Sequence, residues 1–156
     1  MSIEQVKEYL KQFNKDKNIL ELDSSSATVE LAAHALNVNP ARIAKTLSFK
    51  KDTSCILIVT AGDTKIDNKK FKSEFGLKAK MLTPQEVIDI TGHAIGGVCP
   101  FGLKNDNIKI YCDNSIKRFE TIFPACGSSN SAIELTPDEL FEISKSENWV
   151  DVCNIK

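Results

Sequence analysis

Apolar residues recur at helical spacing from the start of the chain: Ile3, Val6, Leu10 and Phe13 stand three or four apart among charged and polar neighbours. That spacing predicts an amphipathic helix, opened by a Ser2/Gln5 capping-box pattern and closed near Asn14–Lys17. A second helix is predicted from about Thr28 to Leu36, after the Ser24-Ser25-Ser26 cluster, and Asn39-Pro40 reads as N-cap and first residue of a short helical turn. The pattern then changes. Thr46–Lys50 and Cys55–Thr60 are β-branched or apolar, and the polar Lys51–Ser54 between them predicts a hairpin. Asp67 can cap a helix carrying Phe71 and Phe75 and ending at Gly76, and Leu77–Leu82 reads as a short strand. Thr83-Pro84-Gln85-Glu86 and Thr136-Pro137-Asp138-Glu139 each combine a cap, a first-turn proline and an N3 glutamate, so they predict helices running to Gly92 and to about Lys145. Ile108–Cys112, Thr121–Ala125, Ser131–Leu135 and Trp149–Cys153 are the remaining strand candidates, with a polar turn around Asp113–Arg118. Helices and strands mix without strict βαβ alternation, which predicts an α+β fold with a largely antiparallel or mixed sheet. Nothing divides the chain, so residues 1–156 are expected to form one domain.

Composition narrows the class. The chain is 42% hydrophobic and 26% charged, and no apolar run approaches the roughly 18 residues of a membrane span. The amphipathic start lacks a signal-peptide core, and a cytoplasmic protein is expected. Five cysteines, an odd number with no C-x-x-C pair, read as free thiols. With only His34 and His93 in the chain, a zinc site would need an unusual ligand set, and no metal or cofactor is expected. Net charge is −1, yet Lys65, Lys69, Lys70, Lys72, Lys78 and Lys80 cluster against only Asp67 and Glu74. Such a face suits a phosphate backbone or is simply a solvated surface.

Candidate chemistry concentrates in a few stretches. Gly92–Gly102, GHAIGGVCPFG, holds four glycines and a proline between a helix end and a strand. Glycines let a backbone approach a ligand and point N–H groups at a carbonyl or phosphate oxygen; they also serve ordinary turns. Ala125–Ser131, ACGSSNS, offers Gly127, Ser128, Ser129 and Asn130 as donors, or as local caps of a strand end. Lys45, in ARIAKTLSF, sits among apolar residues where a lysine is either partly buried against an anion or snorkelling from the sheet rim. Cys99 with His93 would make a thiol nucleophile and base, although no Asn or Asp in the loop is placed to orient the imidazole. His34 in AAHAL reads as a helix-face packing residue, and Asp113 as an Asx-turn residue.

Taken together, these segments resemble the YbaK/prolyl-tRNA synthetase-associated family. Lys45 in ARIAKTLSF, the loop TGHAIGGVCPFGL, YCDNSIKRFE and ACGSSNSAIELTPDEL occur in the family's order and spacing, over about residues 24–145. The resemblance implies a curved mixed, barrel-like sheet flanked by helices, and a hydrolase that deacylates mischarged aminoacyl-tRNA in trans without a metal. It implies that Lys45 is the family's lysine, that Gly96-Gly97-Val98-Cys99-Pro100 is its G-x-x-x-P loop, continuing through Phe101 and Gly102, and that Gly127, Ser128 and Ser129 form its small-residue turn. Lys45, Gly96 and Gly97 are the expected catalytic residues. Val98, Cys99, Pro100, Phe101, Gly102, Gly127, Ser128 and Ser129 are the expected substrate contacts. The implied partner is the acceptor end of tRNA(Pro) carrying alanine, serine, threonine or cysteine, with prolyl-tRNA synthetase as a second candidate. Cys99 stands where several relatives carry serine, and His93 where the cysteine-specific branch carries an aromatic residue, so the amino acid stays open. A non-catalytic module that binds aminoacyl-tRNA or a synthetase through the same pocket is the alternative.

Overall fold

The computed structural model describes residues 2–156. Along the chain run α1 (Ser2–Lys11), β1 (Leu20–Glu21), α2 (Val29–Leu36), β2 (Ile43–Lys51), β3 (Ser54–Ala61), β4 (Thr64–Ile66) and α3 (Asn68–Phe75). They are followed by α4 (Pro84–Thr91), β5 (Lys109–Asp113), β6 (Phe123–Pro124), β7 (Ser131–Ala132), α5 (Pro137–Ser144), β8 (Trp149–Val150) and β9 (Cys153–Ile155). The main sheet is mixed, in the order β6-β2-β3-β5-β8. β2 and β3 form the predicted hairpin, in register from Ala44↔Ala61 to Lys51↔Ser54, and the β3–β5, β5–β8 and β2–β6 pairs are parallel.

Side chains alternate across a strand, so β3 feeds two cores. Cys55, Leu57, Val59 and Ala61 face one that also takes Val6 and Leu10 of α1, Val87 of α4 and Leu140 of α5. Ile56 and Ile58 face the other, with Phe49, Phe71 of α3, Val150 and Val152. Burial on both sides explains why β3 reads as an unbroken apolar run. The helix ends follow local chemistry. Thr83 and Thr136 each complete a capping box with Glu86 and Glu139, Asp67 accepts from the Lys69 and Lys70 amides, and Gly76 and Gly92 end their helices in the left-handed region.

Several expectations are corrected. The main sheet is open, with β6 and β8 at its edges, where a barrel-like closure was expected. Ser2 is the first residue of α1, and its hydroxyl donates to the Gly92 carbonyl at 2.9 Å instead of forming the expected cap. Leu77–Leu82 is not a strand: it touches β2 through a single bridge, Phe49↔Met81. Thr121–Ala125 shrinks to β6, whose Pro124 has no N–H to extend a ladder. Ser131–Leu135 keeps β7 and two isolated bridges, Ala125↔Ala132 and Ile122↔Leu135. Trp149–Cys153 divides between β8, in the main sheet, and β9, which pairs with β4. The Asp113–Arg118 turn is a 3-10 helix capped by the Asp113 carboxylate, and β1 and β4 are additions.

Candidate functional site

β6 accompanies β2 only at Ile43 and Ala44, and the next contact on that edge is Met81 opposite Phe49. Thr46 lies in the interval. The Leu82 amide donates to the Ser48 carbonyl and the Lys50 amide to the Lys80 carbonyl, so even-numbered residues of β2 direct their backbone groups away from β3. Thr46 therefore turns its N–H and C=O toward the gap. A cavity of about 250 Å3 opens there. Its floor is β2 from Ile43 to Ser48, and its walls come from Ser26–Val29, the Met81–Leu82 segment, Ile95, Gly96 and Val98 of the glycine loop, and Ala125 with Ser131.

Lys45 is the sole ionisable side chain lining this cavity among the described residues. It is half-buried, and its Nζ donates to the Thr64 carbonyl at 2.5 Å. Burial, reinforced by the nearby Lys156 charge, holds its pKa below the usual lysine range. The other walls are apolar or hydroxylic, and the hydroxyls of Ser26 and Thr46 are buried without a hydrogen-bond partner.

Small residues bring the walls together. A Cβ on Gly97 would stand 2.7 Å from the Gly127 carbonyl carbon and 2.8 Å from the Ser128 nitrogen. Gly127, at φ +90°, in turn lies where a Cβ would meet the Ser2 backbone at 2.9 Å. Loop, turn and α1 thus pack backbone against backbone, and the Ser26 amide joins them by donating to the Ser129 carbonyl at 2.6 Å.

Of the residues expected from the sequence, Lys45, Gly96 and Val98 line the cavity. Among the described residues the Gly96 and Val98 amides find no acceptor, whereas the Gly97 amide is used within the loop, donating to the Ala94 carbonyl at 3.0 Å. Cys99 and Phe101 are completely buried beneath the loop, and Pro100 and Gly102 line a separate cleft beside Tyr9 and Lys145. Ser128 braces the turn by donating to the Ser131 hydroxyl at 2.7 Å. Ser26, Thr46, Met81 and Ile95 are cavity residues that sequence reasoning did not single out. The Ser24-Ser25-Ser26 cluster was the one available signal, and it reads equally as a helix approach.

The Cys99–His93 pairing is real but structural. Sγ lies 3.7 Å from Nε2, and that nitrogen is 2.7 Å from the Phe101 carbonyl, the better acceptor. Burial pushes the Cys99 thiol up to about 12, and neither side chain lines the cavity, so the thiol-nucleophile reading is set aside. His34 is exposed on α2 instead of packing, and the Asp113 carboxylate accepts from the Ser115 and Val152 amides, the Asx-turn role expected of it. No three His, Cys, Asp or Glu side chains among the described residues are grouped to hold a metal ion, and no described helix is long and apolar enough to cross a membrane.

The family model described as the aminoacyl-tRNA editing domain matches residues 23–143, most of the chain and every wall of the cavity. The chain belongs to this family. Among its relatives, the uncharacterized protein YwhH of Bacillus subtilis (strain 168) is 56% identical over 154 residues, covering 98% of each chain. The proline–tRNA ligase of Geobacillus sp. (strain WCH70) is 27% identical over 76% of this chain, which spans only 21% of that enzyme. Among solved structures, one described as a "putative trans-editing enzyme for prolyl tRNA synthetase" superposes with a TM-score of 0.88 at 27% identity, covering 98% of this chain and 97% of the other. The editing-domain family thus accounts for the mixed sheet and the helices around it.

Proposed function

We propose that this protein is a trans-acting hydrolase that deacylates mischarged aminoacyl-tRNA, with tRNA(Pro) carrying alanine, serine, threonine or cysteine as the substrate class. The observation that carries the reading is the cavity itself: small, apolar-walled, with one half-buried cation and two loop amides that have no acceptor among the described residues, inside the segment that matches the editing family. An aminoacyl ester is already activated, so orientation and oxyanion stabilisation are enough. The Gly96 and Val98 amides are the donors for the developing oxyanion, and one such donor is worth about 2.7–4 kcal/mol in other hydrolases. Gly97 supports them by its close contact with Gly127 instead of donating. Lys45 holds a phosphate or the terminal ribose and so positions the ester. Among the described residues no carboxylate or imidazole lines the cavity. The water is therefore activated by the substrate, through the 2′-hydroxyl beside the ester.

The need for such a pocket is physical. One methylene discriminates by only about 1–3 kcal/mol, so a synthetase cannot reject small look-alikes by binding alone. The test is ester loss from tRNA(Pro) charged in turn with alanine, serine, threonine and cysteine. Rapid loss of at least one ester is expected, slowed by on the order of 100-fold in Lys45→Ala through misplacement of the ester. Binding of charged tRNA without turnover would instead support the non-catalytic module. A tRNA ending in 2′-deoxyadenosine, charged on its 3′-hydroxyl, should be hydrolysed far more slowly; an unchanged rate removes the 2′-hydroxyl from the mechanism.

A further inference from the structure

The mouth of the cavity carries features that the ester chemistry leaves unused. Met81 and Ile95 both line it, yet they are 54% and 62% exposed. Either alone would be an ordinary surface residue. Here two large apolar side chains, one from the segment after α3 and one from the loop after α4, stand at the opening of the same cavity. The segment leading to Met81 alternates: Leu77 and Ala79 pack inward on the Phe49–Phe71 core, while Lys78 and Lys80 are exposed. It is pinned to the outer edge of β2 by the Lys50 amide on the Lys80 carbonyl and the Leu82 amide on the Ser48 carbonyl. The two lysines, about 6.6 Å apart along an extended chain, thus lie on one face of the segment that carries Met81 to the cavity. Neither takes part in an ion pair among the described residues, Glu86 being held by Lys50, and Lys70 by Asp151. Lys69 and Lys72 of α3 are also exposed and extend the positive face, with Glu74 as the acidic residue of that helix.

We propose that this strip docks the single-stranded 3′ end of the tRNA, the terminal base packing on Met81 and Ile95 and the preceding phosphates running over Lys80 and Lys78. The inference rests on the reading that the cavity takes the aminoacyl ester. A base joined to that ester through one ribose must lie at the mouth, and the phosphates must leave along a neighbouring surface. Proteins hold single strands without reading sequence by setting a positive groove beside side chains on which the bases stack, usually aromatic ones; here Met81 and Ile95 offer an aliphatic surface in that place.

The experiment compares two substrates that share ester, ribose and base: charged tRNA(Pro), bearing whichever amino acid the wild type removes fastest, and the same amino acid esterified to adenosine, which has no phosphates. In the Lys78→Glu, Lys80→Glu double variant, the kcat/KM ratio of tRNA to adenosine ester should fall about tenfold at low salt. The log–log salt dependence for the tRNA substrate should flatten by about 1.4, the value for two single-strand phosphate contacts. Met81→Ser with Ile95→Ser should raise KM for both substrates. Because each ratio is read within one preparation, partial unfolding does not move it. An unchanged ratio and salt slope would overturn the docking surface while leaving the hydrolase standing, as would intact tRNA turnover with lost binding of an acidic protein partner. Failure of the wild type to hydrolyse either substrate removes the hydrolase reading, and the docking surface with it.

Discussion

At Gly97 the obstacle to a side chain is backbone, the Gly127 carbonyl carbon and the Ser128 nitrogen, which cannot rotate away. The residue has no left-handed φ to maintain, so the requirement there is pure proximity. Gly76 is the opposite case: open space around it, but φ +70° at the end of α3. The two glycines therefore separate two physical costs. Gly97→Ala should destabilise by about 1–3 kcal/mol through overpacking and shift the Gly96 and Val98 amides, with a loss of turnover beyond what stability explains. Gly76→Ala should cost roughly 1–2 kcal/mol of backbone strain and leave ester hydrolysis alone. Urea denaturation read beside the deacylation assay checks both. Equal activity in the two variants would mean that the glycine loop does not set the oxyanion donors. Lys45 shows the same dependence on surroundings. Its sequence offered burial against an anion or snorkelling, and the structure gives half-burial against a backbone carbonyl, a partner no side-chain pattern announces.

Helices in this fold were legible wherever an end signal was written in side chains. Thr83 and Thr136 each accept from the N3 amide while the N3 glutamate returns to the cap amide, so each box satisfies two otherwise unpaired donors. Thr83→Ala and Thr136→Ala should each cost about 1 kcal/mol, and Thr83→Ala carries an added consequence because Glu86 also pairs with Lys50 at 3.2 Å. Thermal melts of the single variants and of Thr83→Ala with Lys50→Ala measure that coupling; strict additivity would show that the cap and the ion pair act independently. Strands were less legible, for a reason visible in particular residues. Leu77–Leu82 alternates like a strand, but β2 offers it an edge only from Ser48 to Lys50. Trp149–Cys153 is continuous in apolar pattern and divided in space between two sheets. β6 is cut short by a proline in its own sequence, yet its parallel pairing with β2 depends on a partner some 80 residues away, which no local pattern encodes. The cavity shares that origin. It exists because two neighbours of β2 leave an interval at Thr46, so its lysine and glycines were readable from motifs while Ser26, Met81 and Ile95 were not.

Across the whole molecule, the five thiols report on both cores at once. Cys55, Cys99, Cys112 and Cys126 lie in the larger core and Cys153 in the smaller, all buried and unpaired. Burial raises Cys55 and Cys112 to about 11, and Cys99 and Cys153 to about 12, and it lifts Cys126 well above its ordinary value of 9.0. In the unfolded chain each ionises near 9.0. The stabilisation from keeping these thiols protonated in the fold is therefore complete below that pH. As pH rises from about 9 toward 12 the unfolded chain loses protons that the native state retains, so the unfolded state binds fewer protons and stability falls with pH. Tyr9, raised to about 12 by burial, adds to the same trend above its ordinary value of 10.0. For the fully buried Cys99 the slope is at most about 1.4 kcal/mol per pH unit. Urea midpoints should thus be level between pH 7 and 8 and decline steadily above pH 9, and Cys99→Ala should make the decline shallower. A thiol reagent at pH 8 should label the native protein slowly, at a rate that follows unfolding. Stability unchanged to pH 11, or rapid labelling of all five thiols in the native state, would show that neither core excludes water as tightly as its packing indicates.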